Sequence, residues 1–332
     1  MEMTQEMWIA IAVIAVLVYY IIYGRSKKPG KKPVEEPEEL AAEKTYRVPD
    51  SFKAKQYLLE GEYWDFYLKL AAITDTLNLN INCRVPMTAV VSPENNAGLF
   101  DICFKSVDFV ITDANGKILL CMDLVKSRNL TMRIDAAKTR NRIYNLNDVR
   151  TRCIMVDYEA VSKNPGLLDA VIRYNIFVAG SAEVNLNLDG YYEYDKRRFK
   201  KQDYLISINE RDFYRVLKGV IDVYNQGRKN KAHIFCQVGI QYIADCVIKG
   251  RKVSKLSVDY VISSRGTKIS CCIELDDRSH EEPGRQQNDE IKNRVFGETK
   301  IPFIRYRAKA NGAYASEDAE EIKKQLLPYL ND

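Results

Sequence analysis

Three carboxylates close together late in the chain, Asp259, Glu274 and Asp276, have the type and spacing to hold a divalent cation. Oxygen ligands on one face of a strand pair suit magnesium or manganese, which bind through one or two carboxylates and keep several waters. The chain has only two histidines, and one of them, His280, follows within the run Glu274-Leu275-Asp276-Asp277-Arg278-Ser279-His280.

A hairpin has to position these acids. In the first half of the chain Asn115-Gly116 is a strong hairpin turn signal, and strands paired around it place Asp108 directly opposite Asp123. Asp259 and Glu274 have the same separation, so a turn at Arg265-Gly266 that keeps the register sets them face to face. Like charges in that position repel, and a cation held between them offsets the repulsion. Asp276, two residues beyond Glu274, shares its face. A single acid in a strand usually decorates a solvated surface. Three acids amid Val, Ile, Cys and Leu, with His280 beside them, argue for a site.

The hairpins belong to an internal duplication. Tyr57-Leu58-Leu59, Asp65-Phe66-Tyr67 and Leu70 recur as Tyr204-Leu205-Ile206, Asp212-Phe213-Tyr214 and Leu217. Ser106 to Ile111 recurs as Ser257 to Ile262, Cys121 to Leu124 as Cys272 to Leu275, and Asp135 to Lys138 as Asp289 to Lys292. Each copy reads as a helix, a hydrophobic hairpin, a second helix and a final strand, hence a mixed α/β domain. The copies are expected at residues 51–160 and 202–332.

The run IELDDRSHEEPGRQQNDEIKNRVFGETKIPFIRYR resembles domain-of-unknown-function family 2726, whose members carry an acidic strand ending in E-L-D-[DG]-x-S-H, a helix with D-x-x-K-[ND] and a strand ending in arginine. That family looks like a branch of the PD-(D/E)XK superfamily, related to very-short-patch-repair endonucleases. The resemblance covers about residues 204–307 well and 57–157 weakly. It implies a restriction-endonuclease-like fold, here as two α/β domains, and a nuclease that holds magnesium against a scissile phosphate through Asp259 and Glu274. Asp276 stands where the superfamily has its lysine, so His280 or Lys292 is expected to supply the basic or positive group. Asp289 and Lys292, three apart on the predicted helix, share a face. In the first copy Asp108 and Asp123 persist, but Val125 replaces Asp276 and Lys126 points to the opposite face. That copy is expected to be inactive, with a structural or protein-binding role.

Ahead of both copies, Met7 to Tyr23 is free of charge and is followed by Arg25, Lys27, Lys28, Lys31 and Lys32. It is expected to be an uncleaved transmembrane helix with aromatic residues at its ends. Neither a basic start nor a small-x-small cleavage site supports a signal peptide. The positive-inside rule puts the amino terminus outside and the remainder in the cytoplasm, as in a single-pass bacterial inner-membrane protein. Residues 24–50, rich in Pro and charge, read as an extended linker.

The chain of 332 residues has a net charge of +5 and an apolar fraction of 46%, which fits globular domains and excludes a wholly disordered chain. Its eight cysteines show no zinc-binding spacing and are expected to be reduced and buried. Basic stretches at Lys196–Lys201, Gly227–Lys231 and Lys249–Lys252 offer a track for a phosphate backbone, or ordinary solvated surface. Two functions stand: a magnesium-dependent nuclease acting on DNA or RNA at the membrane, or a non-catalytic membrane-tethered module that binds nucleic acid or a protein through a decayed nuclease fold.

Overall fold

The computed structural model describes residues 51–93, 105–125, 151–178, 199–246, 256–264, 266–276, 283–309 and 314–330. Residues from Val48 to Asp332 form one compact unit. Among the described residues no helix is long and apolar enough to cross a membrane. The anchor expected at 7–23 and the linker at 24–50 lie outside the described residues.

The fold is mixed α/β. The first half runs β1 (Phe52–Ala54), α1 (Glu62–Thr76), β2 (Asn80–Pro86), β3 (Val91–Pro93), β4 (Ser106–Thr112), β5 (Ile118–Val125), β6 (Cys153–Asp157), α2 (Tyr158–Lys163) and α3 (Pro165–Arg173). The second half runs β7 (Phe199–Lys201), α4 (Ile208–Asn225), β8 (His233–Gly239), β9 (Ala244–Cys246), β10 (Ser257–Ser264), β11 (Lys268–Asp276), α5 (Pro283–Thr299), β12 (Phe303–Arg307) and α6 (Ser316–Leu330).

Two four-stranded sheets share one plan, β2-β4-β5-β6 and β8-β10-β11-β12. In each the first three strands are antiparallel and the last is parallel to its neighbour. The strands β2 and β8 were not anticipated. Asn80 to Pro86 alternates polar Asn80, Asn82 and Arg84 with apolar Ile81, Cys83 and Val85, but Asn and Pro are depleted in strands, and in His233 to Gly239 Phe235 interrupts the alternation. Both are edge strands that lie against each other, and Asn82 Oδ1 accepts the Cys236 N–H at 2.9 Å.

The amino-terminal arm of each half pairs with the other half. β1 pairs with β9 and β7 with β3. Beyond the arms, the Leu58 N–H donates to the Thr267 carbonyl and the Leu205 N–H to the Gly116 carbonyl, both at 2.9 Å. The buried Leu58, Leu59, Leu205 and Ile206 that follow make the exchange an apolar lock as well as a backbone one.

The hairpin register is as expected, with Phe109 opposite Met122 and, one step on, Asp108 opposite Asp123. The turn that sets it is not the expected two-residue type. Asp113 and Lys117 close a three-residue loop in which Gly116 has φ 76°, followed by a register shift at Ile111/Thr112. Asp113 Oδ1 accepts the N–H groups of Asn115 and Lys117 and holds the loop. A Cβ on Gly116 would lie 2.7 Å from Ile206 Cγ1. Gly116→Ala is therefore expected to cost about 2–4 kcal/mol, from the left-handed φ and the displaced arm together. A lowered urea midpoint with an unchanged slope would report it.

Helices α4 and α6 cover one face of the second sheet through Phe213, Leu217, Ile322 and Leu326 against Tyr260, Ile262, Cys271 and Ile273. Helix α5 covers the other through Val295 and Phe296 against Val261 and Cys272. Cys83, Cys121, Cys153, Cys236, Cys271 and Cys272 are free and buried.

Candidate acidic site of the second half

The second sheet opens at the carboxyl-terminal end of β11 into a cleft of about 230 Å³ between α4 and α5. Asp259 and Glu274 reach it from adjacent strands. Tyr260 pairs with Ile273, and the next step of that ladder places Asp259 opposite Glu274, the arrangement expected from the spacing. Asp259 Oδ2 accepts the Leu275 N–H at 2.8 Å, so the neighbouring strand orients the carboxylate. Glu274 is 3% exposed.

Lys292 arrives from the middle of α5 and forms an ion pair with Glu274 Oε1. Glu274 Oε2 is buried and has no hydrogen-bond partner. Asp276 has its Oδ2 3.6 Å from Arg305 and is absent from the cleft lining. Arg305 lies on β12 opposite Glu274 and also donates to Asp289 at 2.6 Å. Asp289 and Lys292 do share a face of α5 and both line the cleft. His280 lies outside the described residues.

One more carboxylate belongs to the site. Glu210, in the first turn of α4, closes a capping box with Ser207: the Ser207 N–H donates to Oε2 at 2.5 Å, and the Glu210 N–H to Ser207 Oγ at 3.3 Å. The sequence Ser207-Ile208-Asn209-Glu210 signals that cap. Nothing local tells that the same carboxylate faces a strand far along the chain. Gln237 on β8 joins the two, donating to Glu210 Oε1 at 2.9 Å and to Asp259 Oδ1 at 3.2 Å, while Ser257 Oγ donates to its carbonyl at 2.8 Å.

The electrostatics are those of crowded acids. Burial and then Asp259 push Glu274 up to about 8, against the pull of Lys292. Burial and Asp259 likewise push Glu210 up to about 7. Among the described residues no three His, Cys, Asp or Glu side chains are grouped as a ready metal cage. The cleft is lined by the strand carboxylates Asp259 and Glu274, by Glu210 and Asp289 from the flanking helices, and by the Lys292 ammonium.

The first half shows what becomes of such a site when its parts change. Asp108 and Asp123 keep their places, and Asp108 Oδ2 accepts the Leu124 N–H at 3.0 Å, as Asp259 does with Leu275. At the position of Gln237 stands Arg84, whose Nη1 lies 2.7 Å from Asp108 Oδ1. At the position of Glu210 stands Tyr63, whose ring carries the Arg84 guanidinium at 3.9 Å. Burial opposes the charge on Arg84, and Asp108, Tyr63, Tyr242 and Cys83 together more than offset it.

Of the basic stretches, residues 196–198 and 249–252 lie outside the described residues. Gly227, Arg228 and Lys231 border a different cleft of about 530 Å³, beside Tyr67, Tyr214 and His233. Residues 202–327 match the model of a family described as "Protein of unknown function (DUF2726)", in agreement with the resemblance carried by the Glu274–His280 and Asp289–Lys292 motifs. No curated protein and no solved structure matches the chain.

Proposed function

We propose that the second half is a magnesium-dependent nuclease of the restriction-endonuclease-like type, acting on DNA or RNA, and that the chain is a diverged tandem of such domains behind a membrane anchor at residues 7–23. The observation that carries this reading is the convergence of Asp259, Glu274, Glu210 and Lys292 in one cleft, with the buried Glu274 Oε2 unpartnered. An unsatisfied, buried carboxylate oxygen beside a second carboxylate fits a hard cation that retains most of its waters. Asp259 and Glu274 would hold the ion, and when bound it supplies charge neutralisation at the scissile phosphate.

The chain's own groups do the rest. In phosphodiester hydrolysis a water oxygen bonds to phosphorus, the bond to one ester oxygen breaks, and the leaving oxygen takes a proton. The Lys292 ammonium, held by Glu274, is the cationic donor nearest the acids and is assigned to orient the attacking water or to stabilise charge on the phosphate. Glu210 and Gln237 hold Asp259 in place. Manganese is expected to replace magnesium, since both take oxygen ligands.

The test is calorimetry of the chain with magnesium, wild type against the Asp259→Asn/Glu274→Gln variant, followed by incubation with single- and double-stranded DNA and RNA. The expected result is binding and cleavage that both vanish in the variant. A second reading rests on Asp276, which lies beside Arg305 and is not among the residues lining the cleft. It makes the chain a membrane-tethered binding module for nucleic acid or a protein, and wild type that binds nucleic acid without magnesium or cleavage would favour it.

A further inference from the structure

Among the described residues Arg84 and Gln237 are the one matched pair of non-glycine residues at which both halves adopt the same disfavoured backbone. Each is a non-glycine residue with a left-handed φ, 58° and 53°, in the middle of an edge strand. In β2 and β4, Cys83 pairs with Phe109 and Val85 with Val107, which leaves Arg84 opposite Asp108. In β8 and β10, Cys236 pairs with Tyr260 and Val238 with Val258, which leaves Gln237 opposite Asp259. A residue other than glycine persists in this conformation only where its surroundings hold it there. In both halves what it achieves is the same: a long side chain is turned onto the first acid of the pair.

The two side chains differ in charge alone among features that matter here. Arg84 brings a permanent cation, 13% exposed, onto a 12% exposed carboxylate and lies flat on Tyr63. Gln237 is neutral. It donates through Nε2 to both Asp259 and Glu210 and so bridges the two acids without neutralising either. In the second half Asp259 thus faces a neutral amide, with Lys292 and Arg305 acting on Glu274 from the other side, while the first half has a guanidinium where the second has Gln237.

We propose that this position is the selector of each half: glutamine with glutamate on the facing helix leaves the acid pair open to a divalent cation, and arginine with tyrosine closes it with an internal guanidinium. The inference rests on the metal-binding reading of the second half. It assigns to the first half a latent cation site, blocked by Arg84 and not dismantled, because Asp108 and Asp123 still face each other across the same register.

Two variants of the full chain test it. Gln237→Arg is expected to lose magnesium binding in calorimetry and to melt higher than wild type in metal-free buffer. Tyr63→Glu/Arg84→Gln is expected to melt lower than wild type in metal-free buffer, to recover on addition of magnesium, and to bind a second magnesium where wild type binds one. Gln237→Arg that binds magnesium like wild type overturns the proposal, as does a folded double variant that gains neither a second ion nor magnesium-dependent stability. If the double variant does not fold even in magnesium, the Gln237→Arg outcome decides. If wild type binds no magnesium, the nuclease reading fails by itself; the selector is then judged by the metal-free melt, where an unchanged or lower value for Gln237→Arg overturns it.

Discussion

Glu274→Gln is expected to lower nucleic-acid cleavage by about 10²- to 10³-fold, the range seen when one group that stabilises transition-state charge is removed, and to leave the fold intact. The amide keeps an oxygen for Lys292 and fills the same space, so the melting curve should shift by only a few degrees. What it removes is the charge that burial and Asp259 already resist. For the same reason magnesium binding should depend on pH in the wild type. With Glu274 at about 8 and Glu210 at about 7 in the metal-free protein, protons compete for the oxygens. Affinity should rise as the pH passes through roughly 7 to 8 and then level off. The sign follows from linkage: a carboxyl raised in the folded state destabilises the metal-free fold progressively as pH climbs past its unfolded value, and a bound cation relieves that. In Glu274→Gln the upper part of the pH dependence should disappear. Full cleavage by this variant, or binding that weakens as the pH rises, would sink the site assignment.

The second large effect falls in the half that is expected to do no chemistry. Arg84→Ala should cost about 3–5 kcal/mol, the usual consequence of stranding one member of a buried pair. Asp108 is 8% exposed and would keep its backbone bond from Leu124 but lose its cation. The flat contact with Tyr63 is lost too. For a folded region of this size a change of that order lowers the melting temperature by roughly 10 °C. Arg84→Lys keeps the charge without the planar stacking and should fall between. A loss below about 1 kcal/mol for Arg84→Ala, read by urea unfolding, would mean that Asp108 finds its compensation elsewhere.

Some of this was legible in local pattern. Asp108 faces Asp123 because a strand pair around a glycine turn has few registers open to it, even though the turn proved to be a three-residue loop with a bulge. Lys292 and Asp289 share a face because helices repeat every 3.6 residues. The match of residues 202–327 to a family follows from the same contiguous motifs. The strands β2 and β8 escaped notice because their polar residues are weak strand signals by type and serve the site and the junction, Asn82 toward Cys236 and Gln237 toward Asp259.

The sequence by itself therefore determined the acid pairs, their order and the helix that carries the lysine, since each is set by hydrogen bonds or periodicity over a short stretch of chain. Only the tertiary structure decided that Glu210 joins Asp259, that Asp276 lies beside Arg305 and not in the cleft lining, that Arg84 rather than a lysine answers Asp108, and that each arm crosses to the other half. Those outcomes depend on how helices and edge strands distant in sequence pack together. The side chain a carboxylate meets is chosen there by burial and by the need to pair its charge.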